Sequence, residues 1–237
     1  MTVTDQPTIL EAPAFERVVF DLYKDIHKGI RAELFAVTGE AGRLDPADRA
    51  GRHALAGHVQ ATVDLLVSHA EHEDVHIDPV LEAHRPDLSE QIRNDHHALD
   101  ARLLDLNALA QENVDATATE QAGRVHRLYL DLAAFTGTYL AHQDLEERVV
   151  MPALADAVGL DALLGINGAI VASIPPDQMA TSLALMLPAM NVEDRTELLG
   201  GMRAGAPAEV FEGVWALAGS VLSPADHRAL AGRLGIA

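Results

Sequence analysis

The sequence predicts an all-α protein: an up-down-up-down four-helix bundle over residues 1–158, then a small all-helical C-terminal unit over residues 159–237. Three observations lead there. Apolar residues recur at three- and four-residue spacing from Pro13 to about Pro152, with no alternating strand pattern. One histidine-containing motif occurs twice at a fixed offset from a proline. After residue 158 histidine disappears except for His227, and proline and glycine breaks become frequent.

The first helix is expected from Pro13, with Phe15, Val18, Val19, Leu22, Ile26, Ile30 and Leu34 on one face. Gly39 to Leu44 reads as a turn, and Asp45-Pro46 as an N-cap with proline at the first helical position of the second helix, which runs to about Ala83. Arg85-Pro86-Asp87 opens the third helix, and Asn113 to Thr119 separates it from the fourth. Pro79 and Pro152 fall inside the second and fourth helices. Proline lacks an N–H and clashes with the carbonyl four residues back, at Val75 and Arg148, so a kink or helix end is expected at both. In the C-terminal unit, short helices are expected between Pro175-Pro176, Pro188, Gly200-Gly201, Pro207 and Pro224, including one from Ala208 to Leu222. The stripe Met179, Leu183, Met186 and Leu187 reads as core, as does Trp215. The unit as a whole reads as a helical cap or dimer interface, with a lid or partner-docking module as the rival.

Composition narrows the partners. The 237 residues contain 36 acids against 17 bases, which disfavours nucleic acid and anionic membrane as partners. The chain has no cysteine, so thiolate chemistry, disulfides and iron–sulfur clusters drop out, and any metal must be held by nitrogen and oxygen. Met1 to Ala14 has neither a basic start nor a sustained apolar core. Ile170 to Met190, the most apolar stretch, is broken by Pro175-Pro176-Asp177 and does not read as a membrane span. A cytoplasmic protein is expected.

The repeat carries the chemistry. His69-x-x-x-Glu73-Asp74 is followed by Pro79-x-Leu81, and His142-x-x-x-Glu146-Glu147 by Pro152-x-Leu154. A His and a Glu four apart stack on one helix face. Each copy is preceded by a helix with a lone candidate histidine, His27 or His96, which divides the bundle into two similar hairpins. Together they offer four imidazoles and two carboxylates about a pseudo-twofold axis, enough for two metals bridged by the carboxylates. Such donors suit iron, manganese or zinc, and two bridged iron ions are the preferred reading.

At this point the chain resembles the hemerythrin-like (HHE cation-binding) family. The resemblance covers residues from about 15 to 157, through Asp25-Ile26-His27, Leu66-x-x-His69-x-x-x-Glu73-Asp74, Asp95-His96, and Leu140-x-His142-x-x-x-Glu146-Glu147 as far as Met151-Pro152. It implies a four-helix bundle with a non-haem diiron centre bridged by oxo or hydroxo. Position by position, it implies His27, His69, Glu73, His96, His142 and Glu146 as ligands. The family's oxygen carriers use five histidines, whereas four match here. That departure implies a more open site, like bacterial members that handle peroxide, nitric oxide or iron.

Specific chemistry is expected where the halves differ. His76 aligns with Val149, Tyr139 with Leu66, and Tyr23 with Ile92. On a helical wheel His76 falls between His69 and Glu73, one turn further along, and is expected to face inward. Tyr23 and His76 are then expected at one end of the site and Tyr139 at the other, offering a hydrogen bond, a proton or a further ligand. A competing motif overlaps: His72-Glu73-x-x-His76 matches the zinc-peptidase pattern H-E-x-x-H. The wheel separates His72 from Glu73 by about 100°, and the repeat accounts for Glu73 without it.

The expected activity is that of a diiron oxidoreductase reducing or disproportionating hydrogen peroxide, dioxygen or nitric oxide, with a role in oxidative or nitrosative stress. The alternative is a gas sensor or iron-handling protein.

Overall fold

The structure of the protein, a computed structural model, describes residues 14–236. The expectations placed on Met1 to Pro13 lie outside the described residues. Helix α1 spans Lys24–Arg43, α2 Arg49–His76, α3 Asp78–His84, α4 Pro86–Val114 and α5 Gln121–Leu145; a π-helical turn, Glu146–Val150, leads into α6, Met151–Ser173. Four shorter helices follow: α7 Pro176–Ala189, α8 Val192–Gly205, α9 Ala208–Val221 and α10 Pro224–Leu234. Among the described residues there is no strand.

Helices α1, α2, α4 and α5 form the bundle, α1 beside α2 and α5, and α4 beside the same two. Each buries one seam at alternating three- and four-residue spacing. In α1 it runs His27, Ile30, Leu34, Val37, Ala41, and in α5 Leu128, Leu132, Phe135, Tyr139, His142 and then Glu146. That spacing keeps one stripe facing the partner helices, as in other left-handed bundles. The histidines and glutamates of the repeat lie on these core seams, where leucines would otherwise sit.

The first helix begins later than its periodicity suggests. Asp21 Oδ1 accepts the N–H groups of Tyr23 and of Lys24, the first residue of the helix, so the chain before it is free to leave the helical path. Phe15 and Val19 are exposed, while Val18, Phe20 and Leu22 pack against the core as a non-helical arm. The turn expected at Gly39 to Leu44 is mostly helix, and the cap of α2 is Asp48, whose carboxylate accepts Gly51 N–H at 3.0 Å. Asp45 instead closes its own turn onto Ala47 N–H.

The two prolines of the repeat are accommodated differently. At Pro79 the helix ends: α2 stops at His76 and α3 restarts beyond Ile77. At Pro152 it continues, because the π-helical turn moves the Met151 N–H onto the Glu146 carbonyl five residues back. The helical path therefore runs from Gln121 to Ser173, interrupted only at Gly159 (φ 74°, ψ 176°), a conformation open essentially to glycine alone. It contains a stretch of mean hydropathy 1.8, 22% buried, long and apolar enough by length and composition alone to cross a membrane. Its inner side is held by Leu163 and Ile166, which pack among Tyr23, Ile77, Leu81 and Met151 of the bundle.

Helices α7 to α10 share a separate apolar cluster centred on Leu183, Leu187, Leu199 and Leu230. Met179 borders it, and Trp215 stacks on Phe211 and meets His227 at a tilt. Gly200 and Gly201 lie within α8 and do not break it. The unit rests on α1 through α7, and Lys24 and Lys28 both pair with Asp194 of α8.

Candidate metal centre

Each bundle helix delivers its donors to one level, between two apolar layers. One layer contains Ile30, Leu66, Leu99, Phe135 and Tyr139; the other contains Tyr23, Ile77, Ile92 and Met151. His27 comes from α1, His69 and Glu73 from α2, His96 from α4, His142 from α5 and Glu146 from the π-helical turn. His27 is fully buried, and Glu146 is 1% exposed.

The two carboxylates span two imidazole pairs. Glu73 Oε1 lies 3.0 Å from His69 Nε2 while its Oε2 lies 3.2 Å from His96 Nε2. Glu146 Oε1 lies 3.1 Å from His142 Nε2 and its Oε2 3.5 Å from His27 Nε2. The Nε2 atoms of His27 and His69 are 3.2 Å apart. One donor atom each from Glu73, His96, His142 and Glu146 lie within 4.8 Å of one another, as do donors from His27, His69 and Glu73.

Both oxygens of Glu73, both of Glu146 and Nε2 of His96 are buried without a hydrogen-bond partner. Burying unsatisfied carboxylates is costly, and groups so placed are retained when they meet a cation. The donor set is nitrogen and oxygen only, which fits iron, manganese or zinc. The residues therefore fit two metal ions, with Glu73 common to both donor groups.

Two of the outward nitrogens are held by carboxylates to which the sequence reading assigned no role. His27 Nδ1 donates to Glu147 Oε1 at 2.9 Å, and Arg31 donates to the same oxygen at 2.6 Å. His96 Nδ1 donates to Asp74 Oδ1 at 2.8 Å. Asp95 Oδ2 stands 3.5 Å from His142 Nδ1, which is buried without a hydrogen-bond partner. These bonds leave Nε2 of His27 and His96 as the free donor atom facing inward and fix the plane of each ring. The signal was in the motif: the acid directly after each repeated glutamate is Asp74 or Glu147, and each reaches the lone histidine of the other hairpin.

Without metal the centre is a network of imidazoles and carboxylates. Burial pushes the Glu73 carboxyl up, but His69 and His96 outweigh it and hold it well below the usual range. Burial pulls His96 down, yet Asp74, Glu146 and Glu73 raise it to about 12. Tyr23 packs on His27 in a tilted arrangement with ring centroids 5.1 Å apart, and Tyr139 meets His142 edge-on at 5.7 Å. Burial, with Glu73 and Glu146 nearby, raises both phenols well above their ordinary value, so each remains a protonated O–H. The two tyrosines belong to opposite apolar layers, so they flank the centre from either end.

His76 does not join them. Its Nε2 lies 3.2 Å from Ser173 Oγ at the end of α6, outside the centre. The wheel placed it inward, but α2 ends at His76 and the long α6 supplies a partner on the outer side. His72 lines a surface cleft beside Glu71 and Ser68. The H-E-x-x-H residues thus diverge, with Glu73 alone in the buried cluster.

A helical bundle that concentrates buried histidines and glutamates at one level in this way is a metal-binding bundle. The chain belongs to the hemerythrin HHE cation-binding domain family, whose family model matches residues 18–154. Neither the curated proteins nor the solved structures compared with it give a match.

Proposed function

We propose that the bundle is a diiron centre, two iron ions joined by an oxo or hydroxo bridge, that binds and reduces or disproportionates a small oxidant: hydrogen peroxide, dioxygen or nitric oxide. The observation carrying this reading is the pair of buried carboxylates that accept no hydrogen bond, each spanning an imidazole from either hairpin. His27, His69, His96 and His142 would hold the ions at their outer sides, with Glu73 and Glu146 between them. When bound, the ions supply redox equivalents and Lewis acidity. The chain contributes the rest. Apolar layers above and below limit water, and Tyr23 and Tyr139 offer protonated phenols next to His27 and His142. Peroxide is the first substrate to test, since its disproportionation to water and dioxygen requires no separate reductant.

The test combines metal analysis of the purified protein, its near-ultraviolet spectrum with and without azide, and peroxide consumption. Two irons per chain, an azide-sensitive charge-transfer band and many turnovers per centre are expected. A colourless protein with a single zinc would overturn the reading.

A second reading, a sensor of the same gases, is favoured by one observation: α1, which carries His27, is the helix on which α7 and Asp194 rest. One-equivalent gas binding accompanied by altered protease sensitivity of α7 to α10, without turnover, would favour it.

A further inference from the structure

We infer that the two metal positions are inequivalent and fill in order, the one beside His96 and His142 first and the one beside His27 and His69 second, with Asp74 and Glu147 as the positioning residues behind the difference. This deepens the two-metal reading and rests on it.

Two observations point the same way. The first is the donor set: four residues, including both glutamates, converge at the His96 and His142 position, whereas three converge at the other. Glu73 belongs to both groups, so the additional glutamate, Glu146, makes the first position the tighter one. The second is the backing of the lone histidines. Asp74 accepts from His96 Nδ1 and, among the described residues, pairs with no lysine or arginine. On the opposite side the very oxygen that accepts from His27 Nδ1 also accepts from Arg31. A carboxylate oxygen shared with a guanidinium polarises the imidazole less, so His27 is the weaker donor.

Arg31 therefore has a definite part: it loosens the second position by drawing on Glu147. A structural salt bridge alone would not produce that, and the two roles differ in sign when Arg31 is removed.

The experiment is titration of the full-length metal-free protein with cobalt(II), following visible absorption and competition with a chelator. The wild type is expected to take up two ions in steps separated by about tenfold or more in affinity. Asp74→Asn should weaken the tight step and Glu147→Gln the loose step, each by about 10- to 100-fold. Arg31→Gln should tighten the loose step. Circular dichroism of each metal-free variant checks the fold, and if Glu147→Gln does not fold, Arg31→Gln decides. Two steps of equal affinity, or Asp74→Asn and Glu147→Gln weakening the same step, would overturn the order while leaving a two-metal site. A loose step unchanged or weakened in Arg31→Gln would overturn the role of Arg31. Uptake of fewer than two ions by the wild type would overturn the two-metal reading itself, and the filling order with it.

Discussion

Leu185 of α7 stands 3.1 Å from the point that a Cβ on Gly29 would occupy, with the Met186 backbone 3.4 Å from the same point. The C-terminal unit is thus seated on α1 two residues beyond His27, at a place where any side chain would crowd Leu185. Gly29→Val is expected to push α7 outward and destabilise the protein by about 1–3 kcal/mol, the usual cost of overpacking. Denaturant unfolding measures the loss, and faster cleavage near Ser173–Pro176 would show that α7 has lifted. An unchanged midpoint would mean that Leu185 yields without cost.

Gly159 tests backbone strain in isolation from packing. A Cβ there meets nothing within 4 Å, but φ is +74°. Gly159→Ala should therefore cost about 1–3 kcal/mol through conformation alone. If thermal melting shows no loss, the bend is not required for folding.

His76 is expected to be a bystander. Its hydrogen bond to Ser173 Oγ is exposed, so His76→Val should remove about 1 kcal/mol of stability at most. Metal content, optical spectrum and peroxide turnover should equal those of the wild type. A changed spectrum would contradict its placement outside the centre.

His58 should give the bundle a pH dependence away from the metal. Its Nδ1 faces Glu40 at 2.6 Å and its Nε2 faces Glu33 at 2.8 Å, joining α2 to α1. Partial burial lowers its pKa, but the two glutamates outweigh this and raise it above the ordinary 6.5. The folded state thus binds the proton more tightly than the unfolded chain. The stabilisation is fully present below pH 6.5 and is lost as pH rises through the raised folded pKa. Melting temperatures from pH 5.5 to 9 should converge between wild type and His58→Gln on the alkaline side; parallel curves would exclude the linkage.

Metal removal should destabilise the bundle core. Ions that bind only the folded chain stabilise it by about 2.7 kcal/mol at a hundredfold excess over the dissociation constant. Chelation should lower the melting temperature of the wild type, and much less that of Glu146→Gln, whose buried charge is gone. An equal shift in both would place the metal elsewhere.

The sequence alone determined the helical class, the bundle, the repeat and the six residues that converge. It could do so because helical periodicity is local: residues three and four apart share a face whatever surrounds them, and His69 and Glu73 declare their common direction within one turn. The same local rule failed where a neighbour decided the matter. Phe15 and Val19 kept the helical spacing but lay beyond the Asp21 cap, and His76 had the right angle on the wheel but sat where α2 ends and α6 arrives. Tertiary structure alone decided that Asp74 reaches His96 and Glu147 reaches His27, since those partners lie in opposite hairpins and no spacing along the chain relates them. It also decided that Arg31 shares the Glu147 oxygen. Which helix faces contain donors is set by the pitch of a single helix, but which carboxylate backs which imidazole is set by how four helices pack against one another.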